Sequence, residues 1–410
     1  MVTCWHEELA NGLRILGEDR PDMETVCFGF LVGAGSRDES PAESGAAHFL
    51  EHMFFRGTPD RSGRQLKAAF ESIGAMYQAH TAEEQTCLMV RSLGGDVALA
   101  AFHTLCDVLS PALRAEDFTV EQQVILEEIA QYRDHPVQAA RQQLRHLFFG
   151  SHPLGNPVLG TAESVNALKP QQLAAFFQRH YVPGNMVLVA VGNLDREPIL
   201  QAARERCGEW RGMSPVHVRE PVCVQDRVEL IHRPGWTKQI ILARVAAPGL
   251  DSPLADAAEC AARLLGDSRN SQLHWRLVES GLADQVQATW RGLEGAGYLE
   301  ITVSCAPDQT MPVLDTLRAE LRSVCREVVA EAEFQRAQTK AGFARVMSVD
   351  GPVSRLVGVG TRMLAQLPYR TPAETVRSIA ELRAADLQAL GAAFPMTDMA
   401  TVLVGPLAQL

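Results

Sequence analysis

The sequence repeats itself at a spacing of 213 residues, and this repeat constrains the fold more than any other feature. A strand-like apolar run at residues 26–32 aligns with residues 239–245. A second run at residues 185–192 aligns with residues 398–405, where Met, Val, Val and Gly coincide. Apolar runs that lead into glycine-rich turns are typical of strands. The repeat therefore predicts an α+β fold of two homologous domains, each a mainly antiparallel sheet with helices packed on one face.

The two halves meet in a polar stretch that contains prolines. Pro215 and Pro221 lie there among charged residues, as is usual for a linker. We therefore divide the chain into a first domain at residues 1–212, a linker at 213–224 and a second domain at 225–410. The length of 410 residues supports this division, because single hydrophobic cores stop growing beyond about 250–300 residues.

Residues 48–52 hold two histidines and a glutamate with the spacing H-x-x-E-H. On an α-helix, His48 and His52 lie one turn apart on the same face, so both imidazoles can reach one metal ion. Glu51 lies between them on that face, about 60° from His48 and about 100° from His52. We expect Ser44 to cap the first turn. Five apolar residues on the opposite arc are predicted to pack inward, namely Ala46, Phe49, Leu50, Met53 and Phe54.

A third ligand is expected on another element, because a zinc site that performs chemistry usually has three protein ligands and one open position. Glu121 and Glu128 are the best candidates, since on a helix residues seven apart share a face to within about 20°. The same face carries three apolar residues, Val124, Ile125 and Tyr132. Two carboxylates on such a stripe are costly to bury unless a cation meets them. A metal ion would supply that charge, whereas the alternative is a solvated helix with ordinary surface acids.

Taken together, these motifs resemble the pitrilysin/insulinase family of zinc peptidases, the inverzincins. The half-size branch, which includes the β subunit of mitochondrial processing peptidase and its bacterial homologues, is the most similar. Residues 35–39 resemble the family's G-S-R-x-E, and residues 74–86 resemble its G-x-x-N-A-x-T-x-x-E-x-T strand, with Gln78 where asparagine is usual. Residues 159–161 and 181–186 match as well, so the resemblance covers nearly the whole chain.

By that resemblance, the chain is a metalloendopeptidase with one zinc ion per chain. His48, His52 and Glu128 would bind the zinc, and Glu51 would be the general base that takes a proton from water and passes it to the leaving amine. Glu121 would be the accessory carboxylate near the ligands, where it orients a ligand histidine.

The resemblance also implies how a substrate is held. Gln78 and Ala79 would lie in an edge strand to which an extended peptide adds by β-augmentation. The expected substrates are peptides or small unfolded proteins, cleaved inside a chamber.

The second half lacks the metal-binding residues. Ala261, Leu264 and Leu265 stand at the positions shifted by 213 residues from the H-x-x-E-H residues. Active members of the family often carry an arginine and a tyrosine seven apart in this half, where they contact the substrate. Leu277 and Asp284 stand at those positions here, and neither can donate to an oxyanion at neutral pH.

This departure predicts that the chain is the metal-bearing subunit of a two-chain enzyme, whose homologous half-size partner supplies the arginine and tyrosine. A self-sufficient homodimeric peptidase is the alternative, and a non-catalytic structural or peptide-binding subunit is another. Arg291 and Tyr298 are also seven apart, but the glycines at 292, 295 and 297 predict a hairpin between them. We therefore do not take them as the missing pair.

Composition indicates a soluble cytoplasmic enzyme. No run of 18 apolar residues predicts a membrane span, and the N-terminus has neither the signal-peptide nor the transit-peptide pattern. The net charge of −11 argues against nucleic acid as a partner. Nine cysteines without a C-x-x-C pair are typical of reduced, packed thiols.

Overall fold

The structure is a computed structural model that describes residues 2–217, 219–220, 222–267, 269–324 and 329–409. Its strands are β1 Thr3–Glu8, β2 Arg14–Asp19, β3 Thr25–Val32, β4 Met76–Thr81, β5 Thr86–Leu93, β6 Met186–Gly192, β7 Arg227–His232, β8 Gln239–Ala247, β9 Gln285–Leu293, β10 Ala296–Cys305 and β11 Met399–Gly405.

The α-helices alternate with these strands along the chain. They are α1 Ala46–Phe54, α2 Gly63–Ser72, α3 Asp96–Val108, α4 Ala115–Asp134, α5 Pro136–Phe149, α6 Ala162–Ala167, α7 Pro170–His180, α8 Arg196–Cys207, α9 Ala255–Gly266, α10 Thr310–Ser323, α11 Glu331–Met347, α12 Pro352–Leu364, α13 Pro372–Ala380 and α14 Ala384–Ala393. Within the described ranges, no helix is both long enough and apolar enough to span a bilayer.

The strands form two sheets with matching internal order. The first runs β1-β2-β6-β3-β5-β4 and the second runs β7-β11-β8-β10-β9. Each sheet is antiparallel apart from one parallel pair, β2 with β6 in the first and β7 with β11 in the second. Strands that correspond at the 213-residue shift occupy the same places in the two sheets. The predicted α+β fold of two related, mainly antiparallel sheets is therefore confirmed.

The chain divides into two compact units, and each unit takes one segment from the opposite half of the sequence. The first unit comprises Met1–Ala130, Asn156–Val218 and Ser348–Tyr369, and the second comprises Gln131–Gly155, Arg219–Met347 and Arg370–Leu410. The exchanged segments carry α5 and α12, which correspond to each other at the same shift. This exchange was not expected from the sequence, and the division at residues 213–224 stays a prediction.

In the first unit, the sheet is covered on both faces. Most of the helices pack on one face, where the core contains Phe28, Phe30, Phe49, Leu50, Phe102 and Leu188. The exchanged helix α12 covers the other face, where the core contains Cys27, Leu31, Met89, Val189, Leu356 and Val359. Side chains alternate between the two faces of a strand, and both faces of this sheet are covered, so every residue of β6 is buried. Helices on one face were predicted, and the structure adds a single helix on the other.

Helix α12 and strand β3 approach each other closely at two glycines, Gly360 and Gly29. A Cβ atom added at Gly360 would be 2.4 Å from a methyl carbon of Leu31, and one added at Gly29 would be 2.6 Å from a methyl carbon of Leu356. Glycine at both positions therefore permits this contact.

An ion pair joins each exchanged helix to its sheet, and the pair in the first unit is buried. In the first unit, Nε of Arg355 on α12 lies 2.7 Å from Oε2 of Glu18 on β2, and both residues are buried. In the second unit, Arg141 on α5 lies 3.4 Å from Glu300 on β10, which also pairs with buried Arg244 at 2.7 Å. Breaking the Arg355–Glu18 pair would leave a buried charge without its partner, whereas Arg141 is exposed and Glu300 would keep Arg244. These contacts help to specify which sheet each exchanged helix packs on.

Candidate metal centre

Helix α1, which carries the H-x-x-E-H residues, does not start as predicted. Its N-cap is Gly45, with φ 94°, and Ser44 instead ends the preceding turn of 3-10 helix. The carboxylate of buried Glu39 accepts hydrogen bonds from the backbone N–H groups of Gly45 at 2.8 Å and Ala47 at 2.9 Å. The expectation that Ser44 caps α1 was therefore wrong, because a side chain six residues upstream of Gly45 satisfies the first N–H groups instead.

The apolar side of α1 is buried as predicted. The five residues expected to face inward are at most 1% exposed. On the opposite side, His48 is 8% exposed, whereas Glu51 and His52 are half-buried. Core packing on one side therefore fixes the helix, while its polar side reaches a more open region.

Helix α4 presents the two candidate carboxylates. Glu121 is 4% exposed and Glu128 is half-buried. Ile125 between them is fully buried, but Val124 and Tyr132 are 40% and 38% exposed. This face of α4 is therefore more exposed to solvent than the helical spacing suggested.

Two imidazoles and one carboxylate converge where α1 and α4 meet. One potential donor atom from each of His48, His52 and Glu128 lies within 4.8 Å of the other two, and no second such group occurs in the described ranges. Nε2 of His48 and Nε2 of His52 lie 3.8 Å and 3.5 Å from Oε2 of Glu128. Donors bound tetrahedrally at about 2.0–2.1 Å from zinc are about 3.3 Å apart. The two nitrogen–oxygen separations are therefore within about 0.5 Å of those in a tetrahedral zinc site.

Glu121 lies beside this group rather than within it. Its Oε2 lies 2.8 Å from Nδ1 of His52, where that nitrogen donates in the tautomer that leaves Nε2 as an acceptor. Its Oε1 accepts from Nε of Arg56. By contrast, Nδ1 of His48 is buried and has no hydrogen-bond partner among the described residues. The two histidines are therefore held differently, and only His52 is oriented by a carboxylate.

Arg56 was missed by the sequence analysis. A signal for it exists, because Arg56 lies four residues after His52 and just beyond the end of α1. A residue at that spacing can share a contact with the histidine.

The electrostatics of the group favour a cation. Burial lowers the pKa of His48. Burial also acts to lower the pKa of His52, but hydrogen bonds with Glu121 and Glu128, together with their charges, raise that pKa to about 9. The contact with His52 lowers the pKa of Glu128. Burial acts to raise the pKa of Glu121, but its contacts with His52 and Arg56 lower it. Both carboxylates are therefore ionised at neutral pH.

The donor set fits zinc. Two imidazoles and a carboxylate are ligands that zinc takes in catalytic sites, and three protein ligands leave a fourth position open. Because the pKa of His52 is raised to about 9, its imidazole carries a proton at neutral pH in the metal-free group, and a metal ion would take the place of that proton beside Oε2 of Glu128. Glu51 is near enough for its charge to act on the pKa of His48. Its carboxylate makes no hydrogen bond or ion pair with another described residue.

The predicted substrate strand lies at a sheet edge. Strand β4 pairs with β5 and with no other described strand, so one side of its backbone is unpaired. Gln78 is exposed and Ala79 is half-buried, and helix α1 packs against the same strand. The position of β4 is what β-augmentation requires, and peptide binding there stays a prediction.

Comparison with known proteins places the chain in a family. A family model described as insulinase (peptidase family M16) matches residues 14–162, and one described as peptidase M16 inactive domain matches residues 167–341. An uncharacterized zinc protease of Mycobacterium bovis is 32% identical over 404 residues, which cover 97% of this chain and 92% of the relative. The chain belongs to the M16 (insulinase) peptidase family. The resemblance drawn from the motifs, including its half-size branch, is confirmed.

Other M16 relatives agree. An uncharacterized zinc protease of Streptomyces coelicolor is 33% identical over 398 residues, which cover 91% of this chain and 85% of that protein. A crystal structure of a peptidase M16 inactive domain from Pseudomonas fluorescens has a TM-score of 0.88 at 19% identity and covers 100% of this chain and 98% of its own. A protease from Helicobacter pylori has a TM-score of 0.86 at 18% identity, covering 98% and 100%. These two structures show the shared fold.

The second unit of this M16 chain has hydrophobic core at the positions equivalent to the metal-binding group of the first unit. Helices α9 and α11 correspond to α1 and α4 at the 213-residue shift. The residues equivalent to the H-x-x-E-H triplet and to the two α4 carboxylates are at most 3% exposed, namely Ala261, Leu264, Leu265, Phe334 and Ala341. This half therefore offers no equivalent ligands.

Leu277 and Asp284, which the resemblance places at the expected arginine and tyrosine positions, have structural surroundings of their own. Leu277 is fully buried in the second core, and Asp284 is 2.8 Å from Nζ of Lys238. Arg291 and Tyr298 are direct cross-strand neighbours in the β9–β10 hairpin, as predicted. Tyr298 is buried, with the guanidinium of Arg244 4.1 Å from its ring centroid. This pair is part of a packed sheet.

Glu121→Gln is expected to weaken zinc binding. The amide cannot accept the His52 N–H with the strength of a carboxylate, and loss of such a partner usually costs about 10–100-fold in metal affinity. The zinc dissociation constant can be measured by competition with a chromophoric chelator. Glu127→Gln, an exposed change on the same helix, is the matched control. Equal dissociation constants for the two variants would show that Glu121 does not support the ligand.

Proposed function

We propose that this chain is a zinc-dependent endopeptidase that binds one zinc ion through His48, His52 and Glu128. The observation behind the proposal is that their three donor atoms lie within 4.8 Å of one another, with both imidazole nitrogens 3.5–3.8 Å from the Glu128 carboxylate. Membership of the M16 family supports it, as do relatives in Mycobacterium and Streptomyces that are named zinc proteases.

The reaction would be hydrolysis of a peptide bond. When bound, zinc supplies a Lewis acid for the scissile carbonyl and lowers the pKa of water toward neutrality. Glu51 takes the proton from the attacking water and delivers it to the leaving amine. Because its carboxylate is half-buried and has no competing partner among the described residues, it is available for both transfers. Glu121 keeps the His52 ring in the orientation that presents Nε2.

The substrate would be an extended peptide or a small unfolded protein. Its backbone would add to the unpaired side of β4 near Gln78 and Ala79. Main-chain hydrogen bonds of this kind hold any extended sequence, and a folded protein offers few segments that can form them. The position of β4 beside α1 supports this mode of binding.

The working enzyme would contain a second chain. The side chain of Leu277 lies in the core, and that of Asp284 is an acid paired with Lys238, so neither can donate to a developing oxyanion. A homologous half-size subunit with arginine and tyrosine at these positions would supply the donors. A homodimer that uses other donors is the alternative.

Metal removal tests the proposal. The purified chain is expected to contain one zinc by elemental analysis. We expect a chelator to abolish cleavage of an internally quenched extended peptide, and added zinc to restore it. Cleavage that continues in the metal-free protein would contradict the zinc mechanism. A metal-free protein without activity as purified, and without uptake of added zinc, would indicate a structural or peptide-binding subunit.

The two-chain arrangement has its own test. Addition of a homologous half-size chain that carries the arginine and tyrosine should raise the rate of cleavage. If the chain alone cleaves at the same rate as the mixture, the second subunit is not needed, and the zinc assignment is unaffected.

A further inference from the structure

Arg56 links the metal-binding group to an open cavity. Its Nε donates to Oε1 of Glu121, whose Oε2 lies 2.8 Å from Nδ1 of His52. Nε2 of the same imidazole lies 3.5 Å from Oε2 of Glu128. A continuous line of polar contacts therefore runs from the guanidinium to the atoms that would bind the metal.

We propose that Arg56 is a positioning residue for the ligand His52 and acts by holding the carboxylate of Glu121. This inference rests on the proposed zinc ligands and extends the site by a residue outside the H-x-x-E-H helix and α4. Arg56 itself does not touch the donor atoms of the group. It fixes the plane of the carboxylate, and the carboxylate fixes the ring.

The burial of Glu121 makes such a partner necessary. Its side chain is only 6% exposed, so water cannot satisfy the oxygen that His52 does not use. A buried carboxylate with one free oxygen can turn about its last bond, and it is costly to keep ionised. The planar guanidinium occupies that oxygen and restricts the turn. Lysine would keep the charge without the planar contact.

The position of Arg56 in the chain suits this task. It follows His52 by four residues, and its backbone N–H donates to the carbonyl of Met53 at 3.1 Å. Both side chains therefore leave the end of α1 in similar directions and meet one carboxylate on α4. Because α1 is anchored by its buried face, the relation between the imidazole and the guanidinium is set by local structure.

Arg56 can also be reached from solvent. Its side chain is 35% exposed and lines a cavity of about 630 Å³, together with Phe55, Arg64 and Lys67. A small cation could therefore enter the space that a truncated Arg56 would leave. This makes the contact with Glu121 open to chemical rescue.

Zinc affinity of an Arg56→Ala variant tests the proposal. We expect its dissociation constant for zinc, measured by chelator competition without substrate, to rise about tenfold, at the lower end of the range for residues that support a ligand. Millimolar methylguanidinium should restore the affinity, whereas methylammonium of equal charge should not. Arg64→Ala, which changes another arginine of the same cavity, should bind zinc like the parent protein.

Two further variants show whether Arg56 acts through Glu121. The double variant Arg56→Ala/Glu121→Gln should bind zinc no more weakly than Glu121→Gln alone and should not respond to methylguanidinium. The zinc dissociation constant of Arg56→Lys should lie between those of the parent protein and Arg56→Ala. If the alanine variant does not fold, the lysine variant is used for the test. An unchanged or lower dissociation constant in the folded Arg56 variants, or effects that add in the double variant, would overturn the proposal. Failure of peptide cleavage would contradict the proposed function but not the role of Arg56, because zinc binding is measured without substrate.

Discussion

Glu51→Gln is expected to abolish most peptide cleavage while the zinc content stays at that of the parent protein. Glutamine has nearly the same size and shape, but it cannot accept the proton of the attacking water. General acid–base catalysis contributes about 10²–10⁴-fold, so kcat should fall by that amount. Zinc should remain, because His48, His52 and Glu128 are unchanged.

The measurement pairs kcat on a quenched peptide with zinc analysis of the same sample. Glu127→Gln removes one charge from an exposed position and should change neither quantity. If Glu51→Gln loses its zinc, Glu51 would be a ligand rather than the base. If it keeps full activity, another group must transfer the proton.

Glu128→Gln is expected to have the complementary effect, with loss of both zinc and activity. Zinc bound by four protein ligands is worth about 10–16 kcal/mol, so an average ligand contributes about 2.5–4 kcal/mol, which corresponds to about 10²–10³-fold in the dissociation constant. Among the described residues, no other acid forms a three-donor group with both imidazoles, so none is placed to replace Glu128. Excess zinc should partly restore cleavage, because Glu51 is still present.

Zinc titration followed by activity at each zinc concentration checks this outcome. The fold itself should survive, since the side chain of Glu128 is 32% exposed and the amide keeps its volume. Thermal melting of the metal-free parent and the metal-free variant should therefore agree closely. Parent-like zinc affinity in Glu128→Gln would remove Glu128 from the ligand set and require a different third ligand.

Local periodicity predicted the candidate side chains of the metal-binding group, and the family resemblance distinguished Glu128 as the ligand from Glu121 as the accessory carboxylate. The spacing of His48, Glu51 and His52 has a meaning on any helix, and so does the seven-residue separation of Glu121 and Glu128. The structure brings the two histidines and Glu128 together, and it places Glu121 against His52.

Contacts between distant segments could not be predicted in the same way. The first N–H groups of α1 are satisfied by Glu39, which lies outside the helix, and nothing in the spacing of residues 39–47 reveals this. The pairing of Arg56 with Glu121 depends on how α1 and α4 pack. Val124 and Tyr132 were expected on an apolar stripe, but exposure depends on which neighbouring elements cover that face.

The repeat predicted two sheets and their related strands, but not which helices cover them. Helices α5 and α12 occupy equivalent places in the two halves, and each has an apolar side. The choice is made by tertiary contacts such as Arg355 with Glu18 and the close approach at Gly29. A single boundary in the sequence, such as the linker at residues 213–224, cannot describe two units that each contain a segment from the opposite half of the chain.

The exchange of α5 and α12 means that the two halves of the gene do not encode two self-contained folding pieces. A polypeptide ending in the linker would lack α12 and would leave an apolar surface of its sheet bare, including Leu31 and Val189. The complementary polypeptide would lack α5 in the same way. Separately made halves would therefore tend to aggregate, and each would become soluble only by fragment complementation with the other.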